Sequence, residues 1–221
     1  MISAVLFDLD GTLLDTAPDM VAATNRLLVE ENRSPMPFAA LRPVVSHGST
    51  GLVRAAFGDE LGPERMQRLI TRFLELYAQA LAVNTVLFDG VAELLEQIED
   101  RGLPWGIVTN KPQRLTERVL DELNLFANAG CVICGDSLEQ RKPHPAPLQH
   151  AARLLKSRPE TCIYVGDAER DIQAGRAAGM MTVVASYGYI QAHESPDTWQ
   201  ADGSLRHPLE LQDWLHDASR T

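Results

Sequence analysis

Residues 4–15 read Ala-Val-Leu-Phe-Asp-Leu-Asp-Gly-Thr-Leu-Leu-Asp. The apolar run Ala4–Phe7 is typical of a buried strand, and two acids, Asp8 and Asp10, follow where this strand should end. Alternate side chains of an extended chain share a face, and Gly11 allows a sharp turn that redirects the second carboxylate. Neighbouring carboxylates repel each other unless a divalent cation lies between them or one keeps its proton. The pattern therefore indicates a catalytic or metal-binding site at the end of the first strand.

The composition limits the classes of function that the chain can have. Its 221 residues suit one large domain or a domain with an inserted lobe, and its net charge of −10 argues against nucleic acid and anionic membrane surfaces as partners. The apolar runs are too short to cross a bilayer, and the N-terminus lacks a signal-type pattern, so we expect a cytoplasmic protein. The three cysteines are expected to be reduced core residues. Monomer and homodimer both remain open.

Helices and short apolar strands alternate along the second half of the chain. Strands are predicted at residues 105–109, 131–135, 162–165 and 182–185, and helices at 91–101, 113–123, 145–155 and 169–178, with a last short helix at 209–216. This alternation is typical of βαβ units that form a parallel sheet. Residues 17–83 have an all-helical pattern. We therefore predict an α/β protein with a Rossmann-like parallel sheet core, formed by residues 1–16 and 84–221, and an inserted α-helical cap domain at 17–83.

Polar side chains follow the later strands and suit a bound phosphate and a metal ion. Thr109 has a hydroxyl that can donate to a phosphoryl oxygen or cap the next helix. Lys142 lies in a proline-stiffened segment, where a cation is held with little backbone freedom. Asp167 and Asp171 are one helical turn apart, so both can face one point and offer the oxygens that Mg²⁺ prefers; helix capping is their alternative role. Ligands bind at this edge of open α/β sheets.

The motif at Asp8 resembles the DxDGT signature of the haloacid-dehalogenase (HAD) superfamily of phosphotransferases. Thr109, Lys142 and the pair Asp167 and Asp171 match the later motifs of that superfamily in order and spacing. The resemblance covers the whole chain and implies a HAD-like core with the small helical cap of the phosphoglycolate-phosphatase-like branch. It also implies that Thr109 and Lys142 hold the non-bridging oxygens of a phosphate.

The resemblance further implies a covalent mechanism. Asp8 would attack phosphorus and form an aspartyl-phosphate, and Asp10 would protonate the leaving alkoxide and then activate water. Mg²⁺ would be the cofactor, bound by Asp8, the Asp10 backbone carbonyl and Asp167. Asp171 would bind the metal directly or support its ligands.

Substrate choice is expected to depend on the insertion. Its polar turn supplies three candidate substrate-binding residues, His47, Gly48 and Ser49, and Asn110 in the core is a fourth. Arg42 and Arg54 are nearby cations that suit a substrate carboxylate or sugar, or else belong to a solvated helix surface.

Two small-molecule phosphate monoesters, phosphoglycolate and N-acetylmuramic acid 6-phosphate, remain open as substrates. The length, the Val-Ser-x-Gly turn and the segment Tyr187-Gly188-Tyr189 resemble phosphatases of the muramic acid ester. An acid at the position of Asp10 favours a phosphatase or a phosphomutase. A β-phosphoglucomutase-like enzyme would share the same motifs. A non-catalytic phosphate-binding regulator would normally have lost Asp8 or Asp10, and both are present.

Overall fold

The computed structural model describes residues 1–125 and 127–217. Its strands in chain order are β1 (Ala4–Phe7), β2 (Leu14–Asp15), β3 (Val86–Leu87), β4 (Trp105–Val108), β5 (Cys131–Ile133), β6 (Cys162–Gly166), β7 (Met181–Ala185) and β8 (Gly203–Leu205). Its helices are α1 (Ala17–Glu30), α2 (Phe38–Leu41), α3 (Gly48–Phe57), α4 (Pro63–Gln79), α5 (Val91–Asp100), α6 (Gln113–Glu122), α7 (Ala146–Leu154), α8 (Glu169–Ala178) and α9 (Leu211–Asp217). Residues 126 and 218–221 of the expected core lie outside the described ranges.

Six strands form one parallel sheet in the order β5-β4-β1-β6-β7-β8. The central strand β1 pairs with β4 and β6, and Phe7 lies opposite Ile107 on one side and Val165 on the other. The strand order reverses at β1, because the next core strands lie on one side of it and the last three on the other. Such a reversal opens a crevice at the carboxyl ends of the strands. The predicted parallel sheet is confirmed.

The two faces of β1 pack against different helices. Val5 and Phe7 belong to the cluster that includes the buried residues of α5 and α6, whereas Ala4 and Leu6 belong to the cluster formed with α7 and α8. This division follows from the two-residue period of a strand. Helices thus cover both faces of the sheet, as the continuous apolar strands require.

Helices α1 to α4 lie between the two short strands β2 and β3, within the predicted insertion at residues 17–83. These strands pair antiparallel, with Leu14 opposite Leu87, so the chain leaves and re-enters the core at one place. A 3₁₀ turn, Arg42–His47, precedes α3. Leu52 and Phe73 from the inserted helices are buried in the same apolar cluster as Phe7 of the core. The insertion therefore packs directly over the carboxyl end of β1.

Some predicted elements differ in their bounds. The strand predicted at 131–135 ends at Ile133, and the last helix begins at Leu211 after a 3₁₀ turn, Pro208–Glu210. Strand β8 was absent from the prediction because its three residues, Gly-Ser-Leu, carry little strand propensity; its pairing with β7 defines it. Among the described residues, no helix combines the length and the apolar character that crossing a membrane requires.

Candidate active site

A cavity of about 400 Å³ lies between the carboxyl edge of the sheet and the inserted helices. Strand β1 brings two acids to its wall, and the segments after β4 and β5 bring a hydroxyl and a lysine. The predicted site residues that line this cavity are Asp8, Asp10, Thr109, Asn110 and Lys142 from the core and His47, Gly48 and Ser49 from the insertion. The structure thus places these predicted residues around one space, whereas the predicted metal ligands Asp167 and Asp171 are not among the residues that line it.

Three buried carboxylates meet at the end of β6. Oxygen atoms of Asp8, Asp167 and Asp171 all lie within 4.8 Å of one another. The Asp167 Oδ1 atom is buried and has no hydrogen-bond partner among the described residues, which is costly for a polar atom unless something else binds it. A set of hard oxygen ligands with an unpartnered member fits a cation such as Mg²⁺.

The pKa values of this cluster reflect the crowding of negative charge. Burial raises the pKa of Asp8 to about 6, against the opposing effect of Lys142. Burial also raises the pKa of Asp167 to about 7, and the neighbouring charges of Asp8 and Asp171 add to the effect. Burial alone would raise the pKa of Asp171, but Lys142 and Arg170 lower it below its ordinary value. Asp167 therefore holds a proton up to about neutral pH, and a bound cation would displace it.

Lys142 is the cation at the centre of the cluster. Its Nζ lies 2.9 Å from Asp8 Oδ1 and 2.8 Å from Asp171 Oδ1, and its side chain is fully buried. It also donates to the Tyr164 hydroxyl and to the Val108 carbonyl, both at 2.7 Å. These contacts fix the ammonium at the cavity wall, where it can neutralise an anion.

A second lysine, Lys111, holds the second acid of the motif. Its Nζ lies 2.8 Å from Asp10 Oδ1 and 3.0 Å from the hydroxyl of Tyr77 on α4. Burial lowers the pKa of Lys111, but the charge of Asp10, the Tyr77 hydroxyl and the hydrogen bonds to both together outweigh burial and raise the pKa above its ordinary value. Sequence reasoning missed this contact. The available signal was the position of Lys111, two residues beyond Thr109 at the same strand end.

Thr109 and Asn110 have different surroundings. The Thr109 hydroxyl oxygen accepts the Lys111 backbone N–H at 3.1 Å, so its own O–H can donate into the cavity. The Asn110 side-chain amide binds the backbone of Lys142 twice, donating to its carbonyl at 2.9 Å and accepting its N–H at 3.1 Å. Asn110 therefore anchors the Lys142 segment, and its predicted contact with substrate remains a prediction.

The insertion touches the acid cluster through Ser46. The Ser46 hydroxyl donates a short hydrogen bond to Asp167 Oδ2, and the guanidinium of Arg170 donates to the Ser46 carbonyl. Both residues are absent from the sequence-based prediction. Ser46 belongs to the predicted polar turn, and Arg170 lies between Asp167 and Asp171, but no sequence pattern links two residues 124 positions apart.

The predicted insertion residues differ in their relation to the cavity, since His47, Gly48 and Ser49 line it. His47 is exposed, with Nε2 3.7 Å from a carboxylate oxygen of Glu194. Burial of part of its ring and the charge of Arg170 lower its pKa. Arg42 lies over the ring of Tyr189, 4.9 Å from its centre, and Arg54 is exposed on α3. Neither arginine is among the residues that line the cavity.

Two glycines allow the backbone to pack around Asp167. Gly11 has φ +87°, and a Cβ at this position would lie 2.6 Å from the Asp167 Cγ atom. A Cβ at Gly188 would lie 2.5 Å from the Asp167 Cβ atom. Tyr189 follows directly and donates its backbone N–H to Asp167 Oδ2 at 2.9 Å. The segment Tyr187-Gly188-Tyr189 noted in the sequence therefore supports the acid cluster.

Comparisons with known proteins show the family of the chain. The family described as haloacid dehalogenase-like hydrolase matches residues 5–185. A phosphoglycolate phosphatase of Xylella fastidiosa (strain Temecula1) is 46% identical over 204 residues, covering 92% of this chain and 89% of the relative. An N-acetylmuramic acid 6-phosphate phosphatase of Pseudomonas putida (strain KT2440) is 42% identical over 209 residues, covering 95% of this chain and 94% of the relative.

A solved structure gives the same picture of the fold. The crystal structure of a predicted phosphoglycolate phosphatase from Haemophilus somnus 129PT has a TM-score of 0.85 at 25% identity, with coverage of 97% of this chain and 98% of that one. The sequence-based expectation of a HAD-like core is confirmed. The chain belongs to the haloacid dehalogenase-like hydrolases and is an enzyme of their phosphatase group.

Proposed function

We propose that this chain is a Mg²⁺-dependent phosphomonoester hydrolase that works through an aspartyl-phosphate on Asp8. The observation that carries the proposal is the position of Asp8. It lines the cavity, its carboxylate contacts Lys142 at 2.9 Å, and it belongs to the three-acid cluster with Asp167 and Asp171. A nucleophile, a neutralising ammonium and a cation site therefore adjoin the space where a phosphate would bind.

Asp8 is oriented for attack by two donors on one oxygen. The Leu9 backbone N–H, at 2.8 Å, and Lys142 Nζ both contact Oδ1. We assign Oδ2 to the attack: its bond to phosphorus forms as the bond from phosphorus to the leaving alkoxide breaks. Lys142 and the Thr109 hydroxyl would hold the non-bridging oxygens, and their donors reduce the repulsion between carboxylate and phosphate.

Asp10 is the acid and base in this scheme. It lines the cavity and is only partly buried, so it can exchange a proton with substrate and with water. It gives its proton to the leaving alkoxide and later takes one from the water that cleaves the aspartyl-phosphate. Mg²⁺ bound by Asp8, Asp167 and the Asp10 carbonyl, with Asp171 directly or in support, would neutralise charge on the transferring phosphoryl group.

The size of the cavity favours the larger of the two candidate substrates. A volume of about 400 Å³ lies within the roughly 300–1,000 Å³ typical of sites that enclose a drug-sized ligand. Phosphoglycolate, with its two-carbon body, would leave much of this space empty, whereas a hexosamine ring with acetamido and lactyl groups would occupy it. Relatives of both kinds match the chain over most of its length. We therefore propose N-acetylmuramic acid 6-phosphate as the preferred substrate.

A panel of phosphate esters tests the proposal. Release of inorganic phosphate would be measured with and without Mg²⁺ for N-acetylmuramic acid 6-phosphate, phosphoglycolate, glucose 6-phosphate and β-glucose 1-phosphate, and compared by kcat/KM. We expect Mg²⁺-dependent release with a strong preference for the muramic acid ester. A preference for phosphoglycolate would refute the argument from cavity size. Conversion of β-glucose 1-phosphate into glucose 6-phosphate would identify a phosphomutase, and no turnover of any ester would support a phosphate-binding regulator.

The cysteines and the lining of the cavity bear on the cellular location and the oligomeric state of the protein. All three cysteines are unpaired and buried, in keeping with the reducing cytoplasm that we propose as the location. Core and inserted helices of one chain line the described cavity, so the proposal holds for a monomer and for a homodimer.

A further inference from the structure

We propose that Lys111 is a positioning residue that orients Asp10 toward the leaving group, and that Tyr77 makes this orientation depend on the seating of the insertion. The inference rests on the proposed function. It concerns two residues to which the mechanism above gives no role. Its basis is the contact of Lys111 Nζ with Asp10 Oδ1 at 2.8 Å and with the Tyr77 hydroxyl at 3.0 Å.

The burial of this group argues for a functional role. The Lys111 side chain is 4% exposed and that of Asp10 16% exposed. Removing an ion pair from water costs free energy that its Coulomb attraction often fails to recover, so apolar residues would stabilise the fold at least as well. A buried pair on the wall of the reaction cavity is therefore better explained by orientation of Asp10 than by stability.

Two lysines contact three of the four acids of the site, whereas Asp167 accepts hydrogen bonds from Ser46 and Tyr189. Lys142 contacts Asp8 and Asp171, whereas Lys111 contacts Asp10. This division assigns a separate cation to the nucleophile and to the acid. A proton donor must lie within hydrogen-bond reach of the leaving oxygen. Lys111 binds Oδ1 of Asp10, so the proton that Asp10 transfers would be held on Oδ2, and Lys111 fixes which way that oxygen faces.

Tyr77 connects this contact to the insertion. It lies on α4, is 1% exposed and stacks on Phe73, with ring centres 6.1 Å apart. Lys111 follows β4 of the core, and its Nζ also lies 4.6 Å from the centre of the Tyr77 ring. The hydroxyl therefore holds Lys111 on Asp10 only while α4 lies against the core. The orientation of the Asp10 carboxyl is therefore linked to the position of α4.

The test compares esters that differ in their need for an acid. p-Nitrophenolate leaves readily without protonation, whereas an alkoxide needs the proton of Asp10. The value of kcat/KM includes only the steps through phosphoryl transfer to Asp8, so it reports how far departure of the leaving group depends on the proton of Asp10. We expect Lys111→Met to lower kcat/KM about 100-fold for the alkyl ester that the wild type hydrolyses best. The loss with p-nitrophenyl phosphate should be less than about 10-fold.

Two further variants keep the test decisive. Tyr77→Phe removes only the hydroxyl. It should also lower kcat/KM more for the alkyl ester than for p-nitrophenyl phosphate, to a smaller extent than Lys111→Met does. It carries the test if Lys111→Met does not fold. Lys156→Met, at an exposed lysine remote from the cavity lining, is the matched control and should leave both esters unchanged.

Equal losses on both esters, or no loss on either, would overturn the inference. Failure of the proposed function is separate, because it would show as absent turnover of every ester by the wild type.

Discussion

Replacement of Asp167 by asparagine should stabilise the metal-free protein at alkaline pH. Asp167 is 1% exposed, and its carboxylate lies within the cluster formed with Asp8 and Asp171. An asparagine keeps an oxygen that can accept from the Ser46 hydroxyl and the Tyr189 N–H. Its amide N–H groups would face the neighbouring carboxylates in place of the unpartnered Oδ1.

The magnitude follows from the raised pKa of Asp167, about 7 against an ordinary value of 3.8, caused first by burial and then by Asp8 and Asp171. The folded protein holds this proton to a higher pH than the unfolded chain. The stability it contributes is therefore complete below the unfolded pKa and is lost as the pH rises through about 7. At about 1.4 kcal/mol per pKa unit, the wild type should lose roughly 2 to 3 kcal/mol relative to the variant between pH 5 and pH 8.

Thermal unfolding in EDTA at pH 5 and pH 8 measures this effect. A protein of this size changes its Tm by about 2–4 °C per kcal/mol. The Tm of Asp167→Asn relative to that of the wild type should therefore rise by roughly 4 to 12 °C from pH 5 to pH 8. Saturating Mg²⁺ at pH 8 should reverse the order, because the wild type alone keeps the full ligand set. Asp19→Asn is the matched control. Asp19 is buried away from the cluster and accepts hydrogen bonds from Asn84 and Thr85. Its replacement should therefore lower the Tm of the protein at both pH values. A variant equally destabilised at pH 5 and pH 8 would refute the reasoning.

The remaining predictions concern the nucleophile and the packing beneath the cluster. Asp8→Asn should abolish phosphate release, because the side chain keeps its shape and loses its nucleophilic oxygen. Circular dichroism and Tm should show a folded protein, and phosphate release at the wild-type rate would exclude Asp8 as the nucleophile. Gly188→Ala should weaken Mg²⁺ binding at least 10-fold by calorimetry and destabilise by about 1–3 kcal/mol, because the added Cβ would lie 2.5 Å from the Asp167 Cβ atom. Ala40→Gly, at an exposed position on α2, should leave the Mg²⁺ affinity unchanged.

The parts that sequence predicts well are those that depend on local pattern. The apolar run Ala4–Phe7 and the βαβ alternation define the sheet, and the carboxyl ends of its strands then bring Asp8, Thr109 and Asp167 together. The predicted order of elements holds because each strand is buried on both faces and has a simple apolar signature. Strand β8 lacks such a signature, since the neighbouring β7 alone makes it a strand.

The parts that sequence could not predict depend on contacts between distant residues. Lys111 is 101 positions from Asp10, and Ser46 is 121 positions from Asp167. Each pair joins elements that approach only once the sheet and the insertion have packed. Asn110 is a further case: its contact with substrate stays a prediction, and its hydrogen bonds with the backbone of Lys142, 32 positions away, have no local sequence signal.

The pairing of β2 with β3 has a consequence for how such enzymes diversify. The two crossings of the chain lie on adjacent strands, about 5 Å apart. The hydroxyl of Tyr189 holds the first crossing to the core by contacts with Asp15 and Ala17 at 2.6 and 3.0 Å. Closing a chain between two fixed neighbouring points costs only about 0.6 kcal/mol more for each doubling of its length. Evolution can therefore lengthen, shorten or replace the segment between these strands with little penalty to the sheet. Recognition of new esters is free to vary there, while the reaction at the strand ends stays the same.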